Sequence, residues 1–263
     1  MVRVLLIVVL LDKYVLYNIN KYYIMPKKGI TPIRFYDNQT DIIKQFNDTL
    51  KYVDSFLVPN TPNREILKGS KNSKNYTTEF LKRHPNNKYA QHLYSLKNRE
   101  SGTCIGFSEK EAIELTTWAN KLIKHNKAAI FDWDGTLSVI EGVVLPTTES
   151  EMKMYHHKNI SFHEIAHYYC GTKYRFSWLR SMFEYLHNKN VEIFILTNNP
   201  IASTKKIHGL GKESKNNFYR VAKEIIPCLK KENILCGYET NGFKPHTFLK
   251  NKYLYNLYSS VYI

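Results

Sequence analysis

Two aspartates, Asp132 and Asp134, stand two positions apart directly after the apolar run Ala128–Phe131, and Gly135 follows them. An apolar run that ends in acids and a glycine predicts a buried parallel strand that opens into a loop at its C-terminal end. This edge is where α/β sheets place their chemistry. Two carboxylates there can hold a hard cation through oxygen, or one can attack phosphorus while the other transfers the proton.

The segment Asp132–Leu137 reads Asp-Trp-Asp-Gly-Thr-Leu and resembles the first motif, D-x-D-G-T-L, of the haloacid dehalogenase (HAD) superfamily. The resemblance implies a phosphohydrolase in which Asp132 attacks phosphorus in line and forms an aspartyl-phosphate. It implies that Asp134 protonates the leaving group and then activates water. It also implies a phosphorylated substrate and a Mg²⁺ cofactor, with Asp132 and the backbone carbonyl of Asp134 as metal ligands.

Two further segments resemble the second and third motifs of the family in the same order. The apolar run Val191–Leu196 predicts a strand that ends at Thr197 and Asn198, and the second motif of the family is an apolar strand that ends in Thr or Ser. A third strand is predicted at Ile234–Tyr238, and Lys244 follows it near the start of a helix, as in the third motif. The resemblance implies that Thr197, Asn198 and Lys244 bind the phosphate of the substrate.

The fourth motif of the family, one or two acids at the end of a further strand, has no counterpart after Lys244. No Asp follows Asp134, and the segment 259–263 looks like the beginning of that strand, beside the strand that contains Ile130. Glu239 is interpreted as a solvated acid rather than a replacement ligand. Two interpretations stay open: a phosphohydrolase cut short before its last metal ligand, and a non-catalytic binding protein that keeps the fold.

The elements around these motifs alternate between strand and helix. Ser108 and Glu111 form a capping-box pattern that begins a helix before the first strand, and apolar stripes at helical spacing precede the second and third strands. Alternating strands and helices predict an α/β fold with a parallel sheet and helices on both faces. This agrees with the three-layer Rossmann-like core that the HAD resemblance implies.

The sequence suggests three regions. Residues 1–24 are an apolar leader or upstream extension, residues 25–107 a polar and irregular N-terminal region with some helix, and residues 108–263 the HAD-like core. Within the core, residues 139–173 are interpreted as a cap-like insertion between the first and second motifs. The apolar run Val4–Leu11 is too short to span a bilayer, so no membrane association is expected.

The 263-residue chain has a formal net charge of +15, which favours anionic partners such as nucleic acid or a phosphorylated substrate. A general Lys bias on solvated faces explains the charge equally well. Four cysteines show no paired spacing, so neither a disulfide framework nor a cysteine zinc site is expected. A reducing, cytoplasmic compartment fits this pattern.

A competing motif, H-E-x-x-H, lies at His163, Glu164 and His167. On a helix it places two imidazoles on one face beside a carboxylate, which is the arrangement of zinc peptidases. No third ligand is obvious. A zinc metallopeptidase is therefore kept as an alternative, and a surface helix with solvated histidines is the simpler interpretation.

Overall fold

The computed structural model describes residues 31–58, 106–122, 125–139, 153, 160–171, 173–207 and 210–261. Within these residues, five strands form one all-parallel sheet in the order β2-β1-β3-β4-β5. The strands are β1 (Ile33–Asp37), β2 (Asp54–Leu57), β3 (Lys127–Phe131), β4 (Val191–Thr197) and β5 (Ile234–Cys236). The α/β class and the parallel sheet predicted from the sequence are confirmed.

Helices connect the strands and cover them. The α-helices of the described residues are α1 (Thr40–Thr49), α2 (Glu109–Lys121), α3 (Phe162–Cys170), α4 (Lys173–Asn188), α5 (Lys212–Ile225), α6 (Lys244–Lys250) and α7 (Lys252–Ser260). Short 3₁₀ turns lie at Pro200–Ala202, Lys231–Asn233 and Gly237–Thr240. The predicted capping box begins α2: the Ser108 backbone N–H donates to the Glu111 carboxylate at 2.6 Å.

The two faces of the sheet bury separate apolar clusters, because successive side chains of a strand point to opposite sides. On β3, Ala129 and Phe131 join the cluster formed with α2, α3, α4 and α5. Ala128 and Ile130 join the cluster formed with α1, α6 and α7. Helices therefore cover both faces, and the three layers are compatible with a Rossmann-like fold.

Strand β3 lies at the centre of the sheet, where Ile130 pairs with Phe35 on one side and with Phe194 on the other. All its residues are buried, which explains its apolar sequence. Lys127 is buried as well, but it is the one charged residue of the strand, and its ammonium group donates to the carbonyl of Ala119 at 2.7 Å. The buried polar group is thereby satisfied by the end of α2.

Strand β1 lies beside β3, at the position where the sequence predicted a C-terminal strand. Phe35 is the partner of Ile130, whereas α7 continues to Ser260 and Val261 is its C-cap. The prediction that segment 259–263 begins a fourth strand is therefore wrong for its described part. The apolar residues near this end have helical spacing, and they pack one face of α7 against the sheet.

The described N-terminal residues belong to the same sheet as the predicted core. Strands β1 and β2 lie within residues 31–57, so the α/β unit extends beyond the predicted boundary at residue 108. The predicted leader, residues 1–24, lies outside the described residues, as does much of the predicted cap-like insertion 139–173. The helix α3 of that insertion packs against α4 and α5 in the core.

In the part of the chain that the structure describes, no helix combines the length and the apolar character needed to cross a membrane. Cys170, Cys228 and Cys236 are free thiols.

Candidate active site

The parallel register places Asp37 and Asp132 side by side at the C-terminal ends of β1 and β3. Tyr36 pairs with Phe131, and the Asp132 backbone N–H donates to the Tyr36 carbonyl at 2.8 Å. Tyr36 and Phe131 both pack into the cluster under α2–α5, so the next residue of each strand turns to the opposite face. This is the face that α6 covers, and both carboxylates are buried there.

Lys244, the first residue of α6, joins these two carboxylates. Its Nζ lies 2.6 Å from Asp37 Oδ2 and 2.8 Å from Asp132 Oδ1. The exposed fractions are 1% for Lys244, 0% for Asp37 and 4% for Asp132, so all three charges are removed from water. Two carboxylates with one ammonium group leave an excess of negative charge, which is costly in a buried cluster unless a further cation offsets it.

The pKa values of the cluster follow from this imbalance. Burial raises the pKa of Asp37 to about 6, the charge of Asp132 adds to the rise, and Lys244 opposes it. Burial alone would lower the pKa of Lys244, but the carboxylates of Asp132 and Asp37 outweigh burial and raise it. Lys244 therefore stays charged, and Asp37 is the carboxyl group whose ionisation the site disfavours.

The turn that follows Asp132 is fixed by its own backbone and by a buried cation. Gly135 has a φ of 67°, a left-handed conformation that glycine adopts without steric cost. The guanidinium group of Arg175 is fully buried and donates to the carbonyls of Leu137 at 2.6 Å and Thr136 at 3.1 Å. The loop that carries the two motif aspartates is thus anchored to α4.

Asp134 lies on this turn and contacts the loop after β4. The Nδ2 amide of Asn199 donates to both carboxylate oxygens of Asp134, at 3.2 Å and 3.0 Å. Thr197 is the last residue of β4, and its Oγ1 accepts the Asn199 backbone N–H at 3.0 Å. The Thr197 hydroxyl therefore keeps its proton available for another acceptor at the same edge of the sheet.

Asn198 lies between the ends of β4 and β5. Its Nδ2 donates to the Gly242 carbonyl at 3.3 Å, just before Lys244. An alanine Cβ at Gly237 would come within 1.9 Å of Asn198 Oδ1, so the absence of a side chain at Gly237 makes room for this amide. Asn198 therefore connects the end of β4 to the loop that precedes Lys244.

Glu239 also lies at this edge, where it organises a neighbouring loop. Its carboxylate accepts the Thr204 backbone N–H at 2.9 Å and the Ser203 hydroxyl at 3.0 Å. Partial burial acts to raise the pKa of Glu239, but these hydrogen bonds outweigh it and lower the pKa. Glu239 is partly exposed, in agreement with its interpretation as a solvated acid, and its carboxylate also anchors the loop that follows β4.

The H-E-x-x-H segment forms most of α3, and its acid has a local partner. The Glu164 carboxylate accepts the Ser161 backbone N–H at 3.1 Å in a capping box. His163 pairs with Glu224 at 3.0 Å, and His167 is buried with its ring 3.9 Å from that of Phe176. The carboxylate that would activate a zinc-bound water is thus engaged in beginning the helix.

No family model, curated protein or solved structure matches this chain.

Among the described residues, no group of three or more His, Cys, Asp and Glu side chains is arranged to hold a metal ion. At the sheet edge, the carboxylates of Asp37 and Asp132 both contact the ammonium group of Lys244.

The structure brings together Asp132 and Lys244, places Thr197 at the same edge, and adds two residues that the sequence analysis did not select. Asp37 had a signal in the sequence, since the strand Ile33–Tyr36 ends in an acid just as the Asp132 strand does. Asn199 had none of its own, because a polar residue after a strand is ordinary in a turn.

Proposed function

We propose that the chain is a Mg²⁺-dependent phosphohydrolase of the HAD type, which acts on a phosphorylated substrate through an aspartyl-phosphate on Asp132. The observation that carries the proposal is the buried contact of Lys244 with both Asp132 and Asp37 at the C-terminal edge of a parallel sheet. A carboxylate held by a lysine at this edge suits attack on phosphorus, because the cation offsets charge on the nucleophile and on the phosphoryl oxygens.

In this proposal, Asp37 takes the role of the acid of the fourth motif. The family places that acid on a strand that follows the third motif in the sequence. Here the strand beside β3 is β1, which precedes the first motif, and it ends in Asp37. The proposal therefore treats the chain as a HAD-like fold with a changed strand order, in which the acid missing after Lys244 is supplied from the N-terminal side.

The residues present fit a Mg²⁺ ion. Mg²⁺ is bound in proteins by one or two carboxylates and keeps several of its waters, so Asp37 and Asp132 suffice as side-chain ligands. The excess negative charge of the cluster with Lys244 favours a divalent cation. Next to Asp37, the Oδ1 atom of Asn38 is buried without a hydrogen-bond partner among the described residues, and it is a further oxygen of the kind that Mg²⁺ accepts.

The proposed reaction has two balanced steps. In the first, a carboxylate oxygen of Asp132 forms a bond to phosphorus, the bond from phosphorus to the leaving oxygen breaks, and Asp134 gives its proton to that oxygen. In the second, Asp134 takes a proton from water, the water oxygen attacks phosphorus, and the bond to Asp132 breaks. Thr197 and Lys244 hold the phosphoryl oxygens throughout. When bound, Mg²⁺ would neutralise charge on the phosphoryl group.

The test is hydrolysis of p-nitrophenyl phosphate by the purified chain with Mg²⁺. We expect turnover that is lost with a chelator and with Asp132→Asn. Asp37→Asn should lower turnover by at least the roughly 10- to 100-fold that is typical when a residue supporting a metal ligand is lost. Asp48→Asn is the matched control, since Asp48 is exposed on α1. Turnover that persists in Asp132→Asn would contradict the proposal.

Two further assays separate the alternative functions from the proposed one. A non-catalytic binding protein would bind Mg²⁺ or inorganic phosphate in calorimetry and show no turnover in any variant. That alternative rests on the lack of a fourth-motif acid after Lys244, a role that the proposal gives to Asp37. A zinc peptidase would cleave a casein substrate with Zn²⁺ and lose this activity with Glu164→Gln. We expect no such cleavage, because the Glu164 carboxylate caps α3.

A further inference from the structure

We propose that Asn199 is a positioning residue that fixes the carboxylate of Asp134 in the orientation needed for proton transfer. This inference rests on the proposed function, in which Asp134 serves the leaving group and the attacking water. Asn199 lies on the loop after β4, whereas Asp134 lies on the turn after β3, so the contact links the two central strands of the site.

The contact involves both oxygens of the Asp134 carboxylate. Asn199 Nδ2 lies 3.2 Å from Oδ1 and 3.0 Å from Oδ2, so the amide nitrogen is nearly equidistant from the two oxygens of the carboxylate. A donor shared by both oxygens restrains the rotation of the carboxylate about its last torsion, which is broad for an aspartate without such a partner. The side chain of Asp134 is only partly buried, so packing alone restrains it less than it restrains Asp132.

Asn199 can act in this way because it is itself held at several atoms. Its Oδ1 accepts the Ile201 backbone N–H at 3.1 Å as the N-cap of the Pro200–Ala202 turn, which fixes which end of the amide faces Asp134. Its backbone N–H donates to Thr197 Oγ1 at 3.0 Å. Pro200 restricts the preceding residue to extended backbone, and Asn199 has φ −71° and ψ 122°.

A residue that positions the proton donor leaves a specific kinetic signature. An alkyl phosphate has a poor leaving group and needs the proton from Asp134 in the transition state, whereas p-nitrophenolate leaves without it. Loss of the Asn199 amide should therefore reduce kcat/KM strongly for the alkyl ester and weakly for the aryl ester. The ratio kcat/KM reports the steps up to departure of the leaving group, so the later attack of water, in which Asp134 also takes part and which is common to both esters, does not enter it. A purely structural role would reduce both rates by the same factor, since it would remove the same fraction of folded enzyme from each assay.

The variant that isolates the amide donor is Asn199→Ser. Serine keeps an oxygen that can cap the Pro200–Ala202 turn, and it removes the Nδ2 group. The matched control is Asn251→Ser, since Asn251 caps α7 through the Leu254 backbone N–H at 3.0 Å and takes no part in the site. Both variants are compared with the wild-type chain using p-nitrophenyl phosphate and an alkyl phosphate, with Asp132→Asn as the inactive reference.

We expect Asn199→Ser to lower kcat/KM for the alkyl phosphate about 100-fold, the lower end of the contribution of general acid catalysis, and to change kcat/KM for p-nitrophenyl phosphate less than about threefold. Asn251→Ser should leave both values near those of the wild type. Equal losses for the two esters in Asn199→Ser would overturn the positioning role while the proposed function stands.

A crystal structure of Asn199→Ser shows, without any assay of turnover, whether Asn199 fixes the orientation of the Asp134 carboxylate. We expect the Asp134 carboxylate to have one orientation in the wild-type chain and a different one, or several, in the variant. An unchanged Asp134 rotamer in the variant would overturn the inference, whatever the kinetics. An inactive wild-type chain, or activity that survives Asp132→Asn, would instead overturn the proposed function and leave the Asp134 orientation to be judged from the crystals.

Discussion

Lys244 and Asp37 form a buried ion pair, with 2.6 Å between Nζ and Oδ2, although 207 positions separate them in the chain. The contact ties the first strand of the described sheet to the helix that follows its last strand. Because Lys244 also contacts Asp132, which directly follows the central strand β3, the three charges depend on one another. Changing any one of them should alter both the electrostatic balance of the site and the fit of β1 against β3.

The excess negative charge of this cluster predicts that Mg²⁺ stabilises the fold. We expect the Tm of the wild-type chain to rise with Mg²⁺ concentration, by an amount that corresponds to about 2.7 kcal/mol at 100 times Kd. Asp37→Asn removes one proposed Mg²⁺ ligand and the excess negative charge, so most of the increase in Tm with Mg²⁺ should be lost. Scanning calorimetry measures the effect, and Asp48→Asn is the control that should behave as the wild type. An equal rise in Asp37→Asn would contradict the assignment of Asp37 as a ligand.

The raised pKa of Asp37 predicts how stability changes with pH in the presence of a chelator. Its pKa rises from 3.8 in the unfolded chain to about 6 in the fold, so protonation of Asp37 favours the folded state. The resulting stabilisation is fully present below pH 3.8 and is lost as the pH rises through about 6.

We therefore expect the free energy of unfolding of the wild-type chain, relative to that of Asp37→Asn, to fall by roughly 3 kcal/mol across this window, as two pH units of differential protonation require. Urea denaturation of both chains at a series of pH values measures the difference. A difference that does not depend on pH would mean that Asp37 titrates alike in the folded and unfolded chains.

The sequence predicted the central part of the site and missed the part that depends on strand order. Asp132, Thr197 and Lys244 were predicted because each follows an apolar run or begins a helix, which are local patterns. The fold class was predicted for the same reason. The position of β1 beside β3 was missed, since the pairing of Phe35 with Ile130 joins segments about a hundred residues apart and no local pattern specifies it.

The wrong prediction of a strand at residues 259–263 also comes from a local pattern that does not specify strand order. The apolar residues near Val261 were assigned to a strand because the family pattern required one there, whereas their spacing suits the buried face of α7. Helical and strand patterns are hard to distinguish in a short apolar segment. Once β1 fills the place beside β3, no reason remains to expect a strand at this position.

Arg175 provides a test of how firmly the turn after Asp132 is held. Arg175→Met keeps the length of the side chain and leaves the carbonyls of Thr136 and Leu137 without their buried donor. We expect a loss of about 3 kcal/mol or more in the free energy of unfolding, because unpaired buried polar groups are costly. The control is Arg180→Met on the same helix, where the side chain is partly exposed.

The Arg180 variant should cost about 1 kcal/mol or less, since it removes a surface pair with Glu184 and one hydrogen bond to the Glu224 carbonyl. Urea denaturation measures both variants. Similar losses for Arg175→Met and Arg180→Met would mean that the guanidinium of Arg175 is not needed to hold the turn.

Gly237 and Asn198 form a pair whose coupling has a predicted sign. Gly237→Ala in the wild-type chain would place Cβ within 1.9 Å of Asn198 Oδ1, so the amide must move and lose its bond to the Gly242 carbonyl. We expect a loss of about 1–2 kcal/mol in the free energy of unfolding, the usual cost of a buried hydrogen bond and a small displacement.

In the Asn198→Ala background the clash is absent, and Gly237 does not have a positive φ. The same substitution should there be neutral or stabilise by up to about 1 kcal/mol, because alanine restricts the unfolded chain. A double-mutant cycle from urea denaturation measures the coupling, and equal losses in both backgrounds would show that Asn198 does not fill the space beside Gly237.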